Sequence, residues 1–133
     1  MLNGYGCPFC NESKGEKAIE KFLIDNSILF KRQKKFPQKL RGIGGNPLSY
    51  DFYVPIYNLL IEYQGEFHEY MGKNAIQSKD QYDTQHEHDI RKRNYAHENS
   101  YNYLEIWYKD KNNINEIMKQ EMRKYKNPVT TTA

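Results

Sequence analysis

Apolar positions at helical spacing begin the ordered pattern. Ile19, Phe22 and Leu23 share one face of a helix predicted over residues 13–26. Ser13 and Glu16 fit a capping box at its start, with Ser13 as N-cap and Glu16 at the third helical position. Glu16 also precedes Ile19 and Leu23 at spacings that put it on the inward stripe. The period then changes. Residues 28–36 have β character, and residues 37–47, with Gly42, Gly44 and Gly45, read as a flexible loop. Residues 48–54 alternate, with Leu48, Tyr50, Phe52 and Val54 on one face and Ser49, Asp51 and Tyr53 on the other. Residues 59–65 alternate as well, with Leu59, Ile61 and Tyr63 against Leu60, Glu62 and Gln64. Residues 55–58 form a turn-like link between these two strands. A loop holding His68 follows, and Ser78 can cap a long polar helix that reaches about Asn99. Residues 101–108 read as an aromatic-rich strand. A last helix, capped by Asn113 or Asn115, carries Ile114, Ile117, Met118, Met122 and Tyr125 on one side. This order of helix, three strands, helix, strand, helix predicts an α/β domain with a central mixed sheet of about four strands flanked by helices.

At 133 residues the chain is one domain by size, and no internal repeat divides it. Residues 13–126 form the body, residues 1–12 a separate loop, and residues 127–133 a mobile tail. Mean hydropathy is -1.00, yet aromatic residues are 14% and include 12 Tyr, which argues against disorder. No apolar run approaches the ~20 residues of a membrane span. The start has no signal-peptide pattern, so two cysteines suggest a reducing, cytoplasmic setting. The net charge of +3 says little. Its distribution says more: Lys31, Arg32, Lys34, Lys35, Lys39 and Arg41 follow one another with no acidic residue between. Such a run attracts a phosphate backbone, or is simply a solvated strand and loop.

The hairpin concentrates the candidate chemistry. Pairing Val54 with Leu59 across the turn puts Asp51 opposite Glu62 and Ser49 opposite Gln64. Directly opposed Cβ atoms lie ~4.5–5.5 Å apart, where like charges destabilise a sheet. A shared proton, a cationic side chain or a divalent metal can offset that repulsion. Asp51, Glu62 and Glu16 in one cleft would suit Mg²⁺ or Mn²⁺, with the Tyr63 carbonyl or the Gln64 amide completing the shell. Without the metal, Asp51 is a strand-end charge, Glu62 the partner of a Lys or Arg, and Glu16 a capping residue.

The stretch YDFYVPIYNLLIEYQGEFHE resembles the hairpin of the PD-(D/E)XK nuclease superfamily. Within that superfamily it is most similar to phage homing endonucleases of the very-short-patch-repair-like branch, with the pattern EDxHD. The likeness covers residues 4–108. It includes GCPFCNESKGE and the run of Asp89, Lys92, Tyr95, Ala96 and Asn99 along one helix. It implies a restriction-endonuclease-like fold. It also implies that Glu16 orients a metal site, that Asp51 and Glu62 bind Mg²⁺, and that His68 helps to activate water. Asp89 matches the last acidic residue of the pattern. Gln64 stands where most relatives have Lys, so either other groups supply the missing charge or activity is weak or lost.

The expected function is therefore a Mg²⁺-dependent endonuclease domain acting on double-stranded DNA, as a homodimer on its substrate. No small-molecule cofactor and no membrane are implied. The basic run from Lys31 to Arg41, with Lys92, would hold phosphate. His68 would act as general base, since an ordinary histidine pKa of ~6.5 suits proton transfer near neutrality. An inactive nucleic-acid-binding protein of the same fold, and a mismatch- or junction-repair nuclease, are the alternatives. Cys7 and Cys10 form C-P-x-C, the shape of half a zinc knuckle. Two thiolates cannot close a Zn²⁺ site, which takes four ligands. The family likeness implies a second ligand pair upstream, in a longer protein; a bare thiol pair or a redox pair are the other readings.

Overall fold

The structure, a computed structural model, describes residues 13–65 and 76–132. Cys7, Cys10 and His68 lie outside the described residues. The first helix, α1, is Ser13–Asp25. Strands β1 (Lys31–Lys35), β2 (Ser49–Val54) and β3 (Leu59–Gln64) follow, with a single 3-10 turn at Pro55–Tyr57 between the last two. The long helix α2 (Ile76–Glu98) leads to β4 (Asn102–Trp107), and α3 (Ile114–Thr132) closes the chain.

The strands lie in the order β1-β2-β3-β4. The first two pairings are antiparallel and the last is parallel. A parallel neighbour requires a crossover, and α2 is that crossover. All six residues of β3 are buried, as befits a strand covered on both faces. On one face Ile19, Phe22 and Leu23 of α1 pack with Phe52, Leu59, Ile61, Ile106 and the Ile114, Met118 and Met122 stripe of α3. On the other, Ala96 of α2 packs with Leu40, Tyr50 and Leu60. The protein is thus an α/β domain with a restriction-endonuclease-like four-stranded mixed sheet between helices.

One expectation needs correction. The alternation of β2 does not run unbroken: Phe52 and Val54 pack toward α1 and α3, whereas Leu48 and Tyr50 pack toward α2. The switch falls beside Asp51. There the β1–β2 register passes from Arg32–Phe52 to Lys34–Tyr50, omitting Gln33 and Asp51. Gln33 has φ 53°, outside the β region, so the ladder is locally twisted. The helix α3 runs past Pro128 to Thr132.

Candidate active site

The β2–β3 hairpin has the expected register, with Val54 opposite Leu59, Tyr53 opposite Leu60 and Phe52 opposite Ile61. The regular ladder then stops, and the strands fork. Asp51 lies outside the paired positions of both registers, and side chains meet it there. Its N–H donates to Glu62 Oε2 at 2.9 Å. Its carbonyl accepts from Arg32 Nε at 3.3 Å. In return, the Asp51 carboxylate Oδ2 accepts the Tyr63 N–H at 2.8 Å. Each carboxylate therefore holds an amide of the opposite strand. This reciprocal pair seats both acids in the crotch of the fork and satisfies two backbone donors that would otherwise be orphaned.

The cation that offsets their repulsion comes from α2. Lys92 Nζ donates to Glu62 Oε1 at 2.8 Å and to the Ser49 carbonyl at 3.0 Å. Both side chains are largely buried, at 11% and 5% exposure. Burial pushes the Glu62 carboxyl above its ordinary range and the charge of Asp51 adds to the push, while Lys92 opposes both. Tyr50 of β2 anchors the helix at this point: its hydroxyl donates to the Lys92 carbonyl at 2.8 Å.

A second acid–base pair lies beside the first. The parallel register puts Glu105 of β4 next to Glu62. Arg93, the residue after Lys92, holds Glu105 through Nε at 2.9 Å, and the Tyr103 hydroxyl donates to Glu105 at 3.1 Å. Gln64 Nε2 donates to the same carboxylate at 3.3 Å. Sequence reasoning passed over Glu105 and Arg93. The available signal was a lone acid within the aromatic strand YNYLEIWY.

The other predicted residues divide. Arg32 holds Glu16, at 2.6 Å, and also reaches Glu20 at 3.5 Å. The same guanidinium touches the Asp51 carbonyl and lies 4.5 Å over the Phe52 ring, so Arg32 links Glu16 to the fork and is committed to that role. Gly15 explains why α1 can approach so closely: a Cβ there would run into the Tyr63 ring. Asp89 is buried and accepts from Gln85 Nε2 at 3.2 Å, one turn before Lys92. Lys31, Lys35, Lys39 and Arg41 are exposed along β1 and the loop, and Lys34 lies over the Phe36 and Tyr53 rings. His88 is half-buried, and its Nε2 accepts the Ile43 N–H at 2.9 Å. Burial, then the charges of Arg91 and Lys92, hold His88 below the usual histidine range.

Among the described residues no three His, Cys, Asp or Glu side chains gather as a metal site. The donor set still fits a hard cation. Mg²⁺ is commonly held by one or two carboxylates, with water and substrate phosphate filling the rest of its octahedron. Asp51 and Glu62 are such a pair. Near them the buried Gln64 Oε1 has no hydrogen-bond partner among the described residues, an unusual state for a buried carbonyl oxygen. Comparison of the chain with protein-family profiles, curated proteins and solved structures finds no match. No helix among the described residues is long and apolar enough to cross a membrane.

Proposed function

We propose that the chain is a metal-dependent endonuclease domain that hydrolyses phosphodiester bonds in double-stranded DNA, of the homing type and working as a homodimer on its substrate. The observation that carries this reading is the reciprocal seating of Asp51 and Glu62 in the fork. The two acids cap two backbone amides, but as a close pair of like charges they repel, and a hard cation would relieve that repulsion and use both. Asp51 and Glu62 would hold Mg²⁺ or Mn²⁺, which when bound supplies a Lewis acid and lowers the pKa of a coordinated water. Lys92 supplies the positive charge that Gln64 cannot, and its ammonium would bind the scissile phosphate as a point charge. Lys31, Lys34, Lys35, Lys39 and Arg41 would hold the flanking backbone by counterion release. His68 is the proposed general base, and Cys7 with Cys10 half of a Zn²⁺ site.

One observation favours a second reading, a non-catalytic nucleic-acid-binding protein of the same fold. Lys92 already sits on Glu62 and Arg32 on Glu16, so two of the three candidate carboxylates have a resident cation.

A plasmid nicking assay with Mg²⁺ or Mn²⁺ separates the two. The nuclease reading expects cleavage by the wild type and a fall of about 10³-fold in Asp51→Ala, the scale of losing one group that stabilises transition-state charge. Retention of plasmid in a gel shift by both proteins, with cleavage by neither, leaves the binding reading.

A further inference from the structure

Between α2 and the end of β1 lies a pocket of about 370 Å³. Its wall is aromatic. The Phe36 ring centroid is 4.9 Å from that of Tyr95 and 5.3 Å from that of Tyr101, tilted against both, while Tyr95 and Tyr101 stack at 6.3 Å. All three rings are only half-buried, so each keeps part of its surface open. Lys35, Lys39 and Asn99 also line the pocket, and none of its described lining residues is acidic. The hydrolysis proposed above uses none of these rings.

Flat apolar faces beside two ammonium groups, with no carboxylate, suit a ligand that is planar and aromatic at one end and anionic at the other. A nucleotide has that chemistry. Its base stacks on aromatic side chains, its phosphate meets lysine, and an amide such as that of Asn99 offers a donor and an acceptor to the base edge. We infer that this pocket binds one unpaired nucleotide, with the base against Phe36, Tyr95 and Tyr101 and the phosphate against Lys35 and Lys39. The inference rests on the nucleic-acid reading and narrows the preferred substrate to a duplex that presents an unpaired nucleotide, which the overhang in the test supplies.

Two links place the pocket along the strand's path. Lys35 pairs across the sheet with Ser49, whose carbonyl accepts from Lys92 Nζ. Tyr95 follows Lys92 by three residues, close to one helical turn. A strand with a phosphate at Lys92 would thus have Tyr95 within about one helical turn. A free nucleoside monophosphate carries the same chemistry, so the test includes it.

The experiment uses the full chain and 2-aminopurine, whose fluorescence is quenched when it stacks. Binding is measured for a blunt duplex, for the same duplex with a 2-aminopurine overhang, and for 2-aminopurine deoxyribonucleoside monophosphate alone. The expected result is quenching of the overhang base and about tenfold tighter binding than to the blunt duplex, the effect of one base–aromatic stack. Tyr95→Leu is expected to abolish that preference and leave blunt-duplex affinity unchanged. Quenching by the wild type is the primary readout, so it does not depend on how well the variant folds. Quenching of the free nucleotide without an overhang preference supports the pocket and assigns it to a free ligand. Equal binding of the two duplexes, with no quenching in either arm, overturns it. Failure of the wild type to bind any duplex at low salt overturns the nuclease reading instead, and the free-nucleotide arm then decides the pocket by itself.

Discussion

Lys92 Nζ lies 2.8 Å from Glu62 Oε1, 30 residues away in the chain and across the face of the sheet. Of the three ways to quiet two opposed carboxylates, this protein has at least the cationic side chain built in. The pair is buried, so removing one partner leaves an uncompensated charge rather than a small loss.

Lys92→Met is therefore expected to cost about 3–5 kcal/mol at pH 8, the usual scale for breaking a buried ion pair. The cost depends on pH with a definite sign. Burial and Asp51 raise the Glu62 pKa in the folded protein, and removing Lys92 raises it further. The folded state then binds more protons than the unfolded one, so stability falls as pH rises above the ordinary carboxylate value of ~4.3. Urea unfolding at pH 5 and pH 8 checks this. A loss of the same size at both pH values contradicts it.

Gly15→Ala reverses a familiar trend. Alanine within a helix usually stabilises by about 1 kcal/mol over glycine. Here the added methyl meets the Tyr63 ring, whose backbone N–H is bound to Asp51. The expected outcome is a net loss of about 1–3 kcal/mol from overpacking. Thermal unfolding gives the sign directly.

His88 fastens the loop before β2. Its Nε2 must be unprotonated to accept the Ile43 N–H. Burial holds its pKa below the ordinary ~6.5, so this contribution is fully present above that value and is lost as pH falls through the lowered folded-state pKa. Amide exchange at Ile43, corrected for intrinsic rate, is expected to accelerate in acid and in His88→Phe at any pH. An unchanged protection factor in the variant would show that the contact does not restrain the loop.

Gln64→Met separates stability from chemistry. It removes a buried carbonyl oxygen that has no partner among the described residues, and it sacrifices one long hydrogen bond to Glu105. Arg93 and Tyr103 still hold Glu105, so stability is expected to change by less than about 1 kcal/mol. If the oxygen serves the cation, the Mn²⁺ concentration for half-maximal nicking rises in the variant. An unchanged metal dependence removes Gln64 from the site.

Much of the architecture was legible in local pattern. Ile19, Phe22 and Leu23 at helical spacing located α1, and the alternation of residues 59–65 assigned β3 to both faces correctly. The four-residue link alone gave the hairpin register, hence the approach of Asp51 to Glu62. These features depend on neighbours in sequence, through the period of a helix, the pleat of a strand and the length of a turn.

What answers each charge could not be seen that way. Whether Glu16 faces a metal or Arg32, and whether Glu62 meets Lys92, depends on how α1 and the crossover helix dock on the sheet. Tyr50 changes face because the β1–β2 ladder twists at Gln33, where neither residue type announces it. Glu105 and the aromatic pocket exist only once the parallel fourth strand is laid beside β3. Such contacts join residues tens of positions apart, and the free energy that selects them, burial of a charge against the partner that quiets it, arises only when the layers close.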